Sequence, residues 1–453
     1  MTVTSSEGRV HTLTYDEKGR LAGVADPAGN PVRFEHDNRD RLVAVHRGEA
    51  NTHRFLFDDA GRLSSIMFPD GASTRYAYDS AGRLFAVADR NRRITKYEYT
   101  AAGQIAGITD WQGQQTRFEY GNAPVPAAIV LPTGDRIEYQ IDAETGRASR
   151  RINGVEQVSF EEAEPGLHVV RAADGTECKF RLEGERVVEA SNEHGTIKFA
   201  YDDAGRLTLE ESNGKVVELQ RNGIGALTGI VTPDGDELKF ERDGEGRLTR
   251  VVDWDGAAYG FEYEKSGALA AIRYPNAAEL RMQSTAAGLP SALALVTPRS
   301  PRPVLECRWE NDERDRVTSV FTGGQEHHYV YDPEGRLIAE HATGGRHSER
   351  YTLDASGNRI EDGSGACGVN GINQLTARAG SAYLYDLRGN MTVGPCPKGN
   401  ARYHFNGLDR MVAAETAEGT VRYDYDAIGR RIRKHAGKRV THYTWAGDQL
   451  LSE

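Results

Sequence analysis

Residues 76–84 read YAYDSAGRL, and the rest of the chain is variation on them. Tyr76 and Tyr78 stand two apart, so in an extended strand their side chains share a face. Asp79 follows, then two small residues, then Gly82. Asp at the first turn position and glycine at the fourth predict a type I turn closed by a positive-φ glycine, a hairpin with a glycine bulge. Arg83 and Leu84 begin the returning strand. The block recurs as FLFDDAGRL (55–63), FAYDDAGRL (199–207), YVYDPEGRL (329–337), YLYDLRGNM (383–391) and YDYDAIGRR (423–431).

The residue preceding the turn falls at Tyr15, His36, Phe57, Tyr78, Tyr99, Tyr120 and Ile141, each step being 21 residues. A register that strict marks a repeat architecture. It returns at Tyr201, Arg221, Arg242, Tyr263 and Ser284, and continues through Trp309, Tyr331, Leu353, Tyr385, Phe405 and Tyr425. A second turn lies inside each repeat, as in Asp26-Pro27-Ala28-Gly29, Pro69-Asp70-Gly71, Asp110-Trp111-Gln112-Gly113, Pro233-Asp234-Gly235 and Asp253-Trp254-Asp255-Gly256. Turns every ten or eleven residues leave strands of about six to seven residues and predict an antiparallel, all-β chain. Residues 1–453 read as one array. The repeats are degenerate over 142–200, where FEEAEPGL (160–167) and RLEGERV (181–187) fit loosely. Insertions break the rhythm at 286–305, with four prolines from Pro290 to Pro303, and at 361–382, which is Gly-rich.

Composition excludes several classes. With 38% hydrophobic and 27% charged residues the chain can fold. A net charge of -11 argues against a nucleic-acid partner, which needs a basic footprint. No window approaches 18 consecutive apolar residues, so no membrane insertion is expected of this chain. Its first residues, MTVTSSEGRVHTLTYD, lack the basic and apolar regions of a signal peptide. Cys178, Cys307, Cys367 and Cys396 are too far apart for a CxxC metal or redox motif, although Cys367 and Cys396 could pair.

Some 20 repeats of two strands give on the order of 40 strands, about 190 Å of continuous sheet at about 4.8 Å per strand. Open twisted sheets rarely exceed about ten strands without curling or splitting. Three architectures satisfy this: a curled single sheet around a hollow lumen, four-stranded propeller blades, or a solenoid of hairpins. The pairs Phe55/Phe57, Tyr76/Tyr78, Tyr97/Tyr99, Phe118/Tyr120, Phe261/Tyr263 and Tyr423/Tyr425 would form an aromatic ladder along one face. The return-strand pairs Leu63/Ile66, Leu84/Val87, Leu227/Ile230 and Leu248/Val251 stand three apart, hence on opposite faces unless the bulge shifts the phase.

Candidate chemistry gives way to structural readings. Gly363-Ser364-Gly365-Ala366-Cys367-Gly368 matches GxGxxG literally but precedes no helical pattern, so it reads as a loop. The neighbours His327 and His328 point to opposite faces of a strand, and with His341 and His347 read as surface or cross-strand residues. Asp58-Asp59, Asp202-Asp203 and Asp253/Asp255 lack any calcium-loop pattern; a turn Asp bonds its own backbone. Cys367 has no placed histidine, and no GxSxG elbow occurs. Arg62, Arg83, Arg206 and Arg336 recur too often to be catalytic and predict cross-strand pairing with acidic neighbours. No catalytic, cofactor-binding or metal-ligating residue is assigned, and no enzyme or cofactor is expected.

The motif aromatic-x-Tyr-Asp-x-x-Gly-Arg-Leu at 76–84, 199–207 and 329–337 resembles that of the Rhs/YD-repeat family, and the resemblance covers nearly the whole chain. Residues 423–453 are similar to the later part of a bacterial Rhs core. The resemblance implies a long β-sheet strip that spirals into a hollow, teneurin-like YD shell or part of one. In bacterial Rhs proteins and insecticidal toxin complexes such a shell encloses a C-terminal toxin; in teneurins it supports adhesion. The family's self-cleaving core end is missing from this sequence. The resemblance therefore implies a non-enzymatic shell segment, secreted or at the cell surface. Its partners would be an encapsulated toxin or effector, or the remaining shell segments. A cell-surface adhesion or carbohydrate-binding module, partnered by a glycan or protein, is the alternative, motivated by the aromatic ladder.

Overall fold

In the computed structural model, all residues are described except 1, 5–9, 26–30, 48–50, 70, 91, 286–288, 313–315, 333–334, 345–347 and 355. The expected turn at Asp26–Gly29, Asp70 of the turn at 69–71, Pro333 and Glu334 of the 329–337 block, and His347 lie outside the described residues. Strands and turns account for the regular structure, with no helix among the described residues. Thirty-four strands between Thr2 and Arg350 form one antiparallel sheet, and seven between Leu384 and His442 form another. A sheet of that continuity is not built of four-stranded propeller blades, which corrects the propeller form of the alternative reading.

The hairpin signature folds as its chemistry dictates. Strands Ser73–Tyr78 and Leu84–Ala88 flank the turn. Gly82 N–H donates to Asp79 O at 2.9 Å, and Asp79 N–H to Arg83 O at 2.8 Å. This five-residue geometry places Gly82 at φ 83°, a conformation glycine adopts without steric cost. The return strand contains one extra residue. Tyr78 pairs with Leu84, Ala77 with Ala86 and Tyr76 with Val87, so Phe85 has no partner. That bulge resolves the three-residue spacing. Leu84 and Val87 both oppose the aromatic pair and share its face, as do Leu63 and Ile66 opposite Phe57 and Phe55.

The other face follows a second rule. Its central position on the return strand is small, and the neighbouring strands supply longer side chains across it. Ala44 lies between Glu35 and Arg54, Ser65 between Leu56 and Arg75, and Ala271 between Glu262 and Arg281. All three small residues are buried by those flanking side chains. Few large side chains are buried at all. The accessible surface is 26799 Å², against about 17,000 Å² for a compact protein of this mass and about 20,000 Å² for two separate globules of half the mass. The excess reflects how much of the sheet's side-chain surface stays open to solvent.

The chain divides into two compact units, Met1–Glu98, Thr109–Gly113 and Lys239–Gly363 in one, and Tyr99–Ile108, Gln114–Leu238 and Ser364–Glu453 in the other. In the first unit, the proline-rich stretch forms a long hairpin of Pro290–Thr297 and Ser300–Asn311. In the second, residues 142–200 keep antiparallel pairing from Ala148 through Lys198, with bulges of their own, although the Asp-x-x-Gly-Arg turn is gone. The Gly-rich stretch contains only short strands, among them Gly368–Val369, Leu375–Arg378 and Ser381–Ala382.

Candidate functional site

The regular Asp-x-x-Gly-Arg turns lock one repeat to the next. Asp79 Oδ1 accepts from Ala81 N–H at 2.9 Å and Arg83 N–H at 2.8 Å, and Oδ2 accepts from Arg83 Nε at 2.7 Å. The guanidinium of the preceding turn, Arg62, stacks 4.6 Å above the Tyr78 ring. The Tyr78 hydroxyl donates to Leu63 O at 2.8 Å. The same lock joins Arg247, Tyr263 and Leu248, and Arg316, Tyr331 and Val317. In the last repeat Trp445 replaces the tyrosine, and its Nε1–H donates to Arg431 O at 2.8 Å. The expected cross-strand pairing of Arg62, Arg83, Arg206 and Arg336 is thereby corrected. Each pairs with the Asp four residues earlier in its own turn, because the turn already brings the two side chains together.

The lock has an electrostatic signature. Hydrogen bonds from the Arg41 backbone, and then from its guanidinium, hold the Asp37 carboxyl at about 2. Asp16, Asp58, Asp79 and Asp202 are lowered for the same reason, the backbone N–H of the following Arg being the largest cause.

In the second unit the turns of the C-terminal sheet make a different contact: they dock on residues 172–215. Gly407 N–H donates to Asp174 Oδ2 at 2.6 Å, 233 residues away in sequence. Asn192 Nδ2 donates to Tyr425 O at 2.9 Å, also across 233 residues. Arg430 is the centre of this seam. It donates to Asp426 Oδ2 through Nε at 2.8 Å, to Glu210 through both terminal nitrogens at 2.6 and 3.0 Å, and to Gly447 O at 2.7 Å. Gly447 N–H donates back to Glu210 at 3.0 Å. The side chains of Arg430 and Glu210 are only 9% and 2% exposed. Burial opposes the guanidinium charge, but the two carboxylates outweigh it and hold its pKa above the ordinary arginine value. Cys178, Ala190 and Ala427 form the apolar part of the seam, with Phe180, Val187, Phe199 and Leu408 packed against them.

Sequence reading did not find the seam, because its partners are 220 to 237 residues apart. One signal was present. Glu210 pairs with Phe199 at the position where Ile66 pairs with Phe55 and Val87 with Tyr76, so a carboxylate stands where the repeat otherwise carries an aliphatic residue.

Other candidates are placed as follows. His327 Nδ1 lies 2.8 Å from Glu340 across the strand pair, and His341 Nδ1 2.8 Å from Ser348 Oγ. Asp253 Oδ1 accepts from Asp255 N–H and Ala257 N–H within its turn. Gly363–Gly368 leads into no helix. The four cysteines are free thiols, so Cys367 and Cys396 are not bridged. Among the described residues no group of three or more His, Cys, Asp or Glu could hold a metal, and no helix is long and apolar enough to cross a membrane. An arginine covers one face of each of the Phe57, Tyr78, Tyr263 and Tyr331 rings, which closes those faces to a stacking ligand.

The geometry defines a class: an antiparallel sheet of hairpin repeats, its regular turns locking to the next and some turns docking on distant strands. The Rhs repeat profile matches residues 15–52, 57–94, 78–115 and 221–258, and the teneurin YD-shell profile matches residues 300–447. The chain belongs to the Rhs/YD-repeat family. Among solved structures it is similar to the Photorhabdus luminescens Tc holotoxin pore, with a TM-score of 0.73, 12% identity, and coverage of 98% of this chain and 28% of that one. A complex of TcdB2-TccC3 gives 0.68, 14%, 98% and 27%. TcdB2-TccC3 without its hypervariable C-terminal region gives 0.58, 12%, 98% and 32%. At these identities the likeness is one of fold, and the chain spans less than a third of each of those proteins.

Proposed function

We propose that this chain is a non-enzymatic wall segment of a hollow Rhs/YD-repeat shell, acting outside the cell and enclosing a toxin or effector polypeptide supplied by a segment or chain beyond residues 1–453. The whole array, including the degenerate stretch 142–200 and the insertions 286–305 and 361–382, acts as one structural element. Further shell segments or the enclosed polypeptide are its partners. The observation that carries this reading is the seam. A one-layer sheet cannot bury a core of its own, and here strands more than 200 residues apart are joined through Asp174, Asn192 and Glu210. Contacts of that kind let a thin sheet wall off a volume. Tyr78 and Tyr331 give the adhesion alternative little support, since an arginine already stacks on each ring.

Small-angle scattering of the purified chain, with solvent contrast variation, tests the proposal. A pair-distance distribution with a low-density interior is expected. A compact particle of uniform density would overturn it. An activity abolished by a point substitution without loss of fold would overturn the non-enzymatic assignment.

A further inference from the structure

The repeat rule fails at one place in four positions at once. Val125 stands where regular turns carry the stacking arginine. Ile141 stands where they carry the anchoring aromatic. Ala148, paired with Ile141, replaces the leucine that Leu84 exemplifies opposite Tyr78. Arg150, paired with Tyr139, replaces the aliphatic residue that Val87 exemplifies opposite Tyr76. The turn differs too. Gly146 N–H donates to Asp142 O, four residues back, and the return strand pairs without the bulge. One residue has moved from the strand into the turn, which brings Ala148 opposite Ile141 and leaves Arg150 at the position of Val87 on the aromatic face.

These changes open a trough of about 560 Å³ in the second unit, within the size range of small-ligand clefts, about 300–1,000 Å³. Ala148 leaves a gap between its cross-strand neighbours Ile141 and Phe160. Tyr139, Ile129 and Val158 complete the walls. Ile141 is 75% exposed and Val125 64%, unusual for large apolar side chains clustered on one face. Arg150 is the charged residue of the trough lining. Its Nε is buried and has no hydrogen-bond partner among the described residues. Its terminal nitrogen forms a loose, one-third-exposed ion pair with the Asp409 carboxylate at 3.8 Å, beyond hydrogen-bond reach. A buried donor without an acceptor is costly, and the apolar walls beside it lack the side chain that fills them in other repeats.

We propose that this trough binds an amphiphile with one carboxylate and an unbranched apolar tail. The tail replaces the missing leucine over Ala148, and the carboxylate accepts from Arg150. The site is independent of the shell reading and would stand or fall without it.

The test uses the full chain with dodecanoate and dodecanol as probes, measured by calorimetry and by displacement of anilinonaphthalene sulfonate fluorescence. Dodecanoate is expected to bind about tenfold or more tightly than the alcohol, the range of a charge-assisted hydrogen bond. Ala148→Leu, which restores the residue of the regular repeat, should abolish binding of both. Arg150→Gln should keep the alcohol and lose the preference for the acid. Far-UV circular dichroism establishes that each variant is folded, and Phe160→Ser, which removes a wall, replaces Ala148→Leu should that variant misfold. The proposal is overturned if dodecanoate does not bind, if acid and alcohol bind the wild type equally, or if the folded wall variants bind unchanged. A wild-type dimer made monomeric by Ala148→Leu would assign the face to a second copy and also overturn it.

Discussion

The turns Asp79–Arg83 and Asp426–Arg430 have the same motif and the same bonds between Asp and Arg, yet they do different work. In the first, the Arg and Asp side chains are 36% and 24% exposed. In the second they are 9% and 4% exposed, and a third group, Glu210, enters from 220 residues away. The construction rule therefore has a spare valence. An arginine that satisfies one carboxylate through Nε keeps its terminal nitrogens for a stacking partner, a carbonyl or a second carboxylate. Where a distant strand offers that carboxylate, a local turn becomes a tertiary joint.

Removing the third group should have the largest effect. Glu210→Ala leaves Arg430 buried with one carboxylate and orphans Gly447 N–H. Breaking a buried ion pair costs about 3 kcal/mol or more. Since repeat arrays need not unfold in one step, hydrogen exchange at Gly447 and at residues 426–430 is the measurement, with the exchange at 79–83 as its internal reference. Equal protection in wild type and variant would mean that the seam does not depend on this triad.

The second position of the turn should come next. Free turns carry Ser80, Asp59 or Asp203 there, whereas the docked turn 406–410 carries Gly407. A Cβ on Gly407 would come within 2.3 Å of the Ala172 Cβ. Gly407→Ser is therefore expected to cost about 1–3 kcal/mol through overpacking, seen as loss of protection across residues 172–178 and 406–410. Ser80→Gly, the reciprocal change in an exposed turn, should cost less. Tyr78→Phe, which removes one hydroxyl bond to Leu63 O but keeps the ring under Arg62, should cost about 1 kcal/mol, read as faster exchange of the neighbouring strand amides.

These comparisons show what the sequence could carry. Hairpins, turn type and repeat length were legible because each is fixed by contacts within about five residues, as in Asp79, Gly82 and Arg83. The bulge was legible as an alternative, since Leu84 and Val87 can share a face only if Phe85 is skipped. The role of the arginine was misread: a cross-strand partner was expected, but the turn itself holds Asp79 beside Arg83. The seam was illegible as a contact, because nothing near Glu210 names Arg430. The deviations that mark it were visible as breaks in the rule: a glutamate at an aliphatic position, a glycine at the second turn position, and degenerate repeats where another sheet docks.

The smallest effect per site, summed over many repeats, is the response to acid. Asp16, Asp37, Asp58, Asp79 and Asp202 have carboxyl groups lowered in the folded state, Asp37 to about 2. An unfolded aspartate titrates near about 3.9. The unfolded chain thus binds protons more readily than the folded one below that value, so stability falls as pH falls. The contribution is complete above about pH 4 and is lost progressively as pH drops through the folded values, towards about 2 for Asp37. In the seam, burial raises the Asp174 carboxyl, but N–H bonds from Thr176 and Gly407 outweigh it and the net shift is again downward. The Asp174 contact should therefore also weaken as the pH falls. Thermal melts should be nearly flat from about pH 7 to 5 and decline from about 4 to 2, with Asp79→Asn reducing the decline slightly. A melting temperature independent of pH across that lower range would mean that the turn carboxylates are not what holds one repeat to the next, and the stacked arginines would have to do so alone.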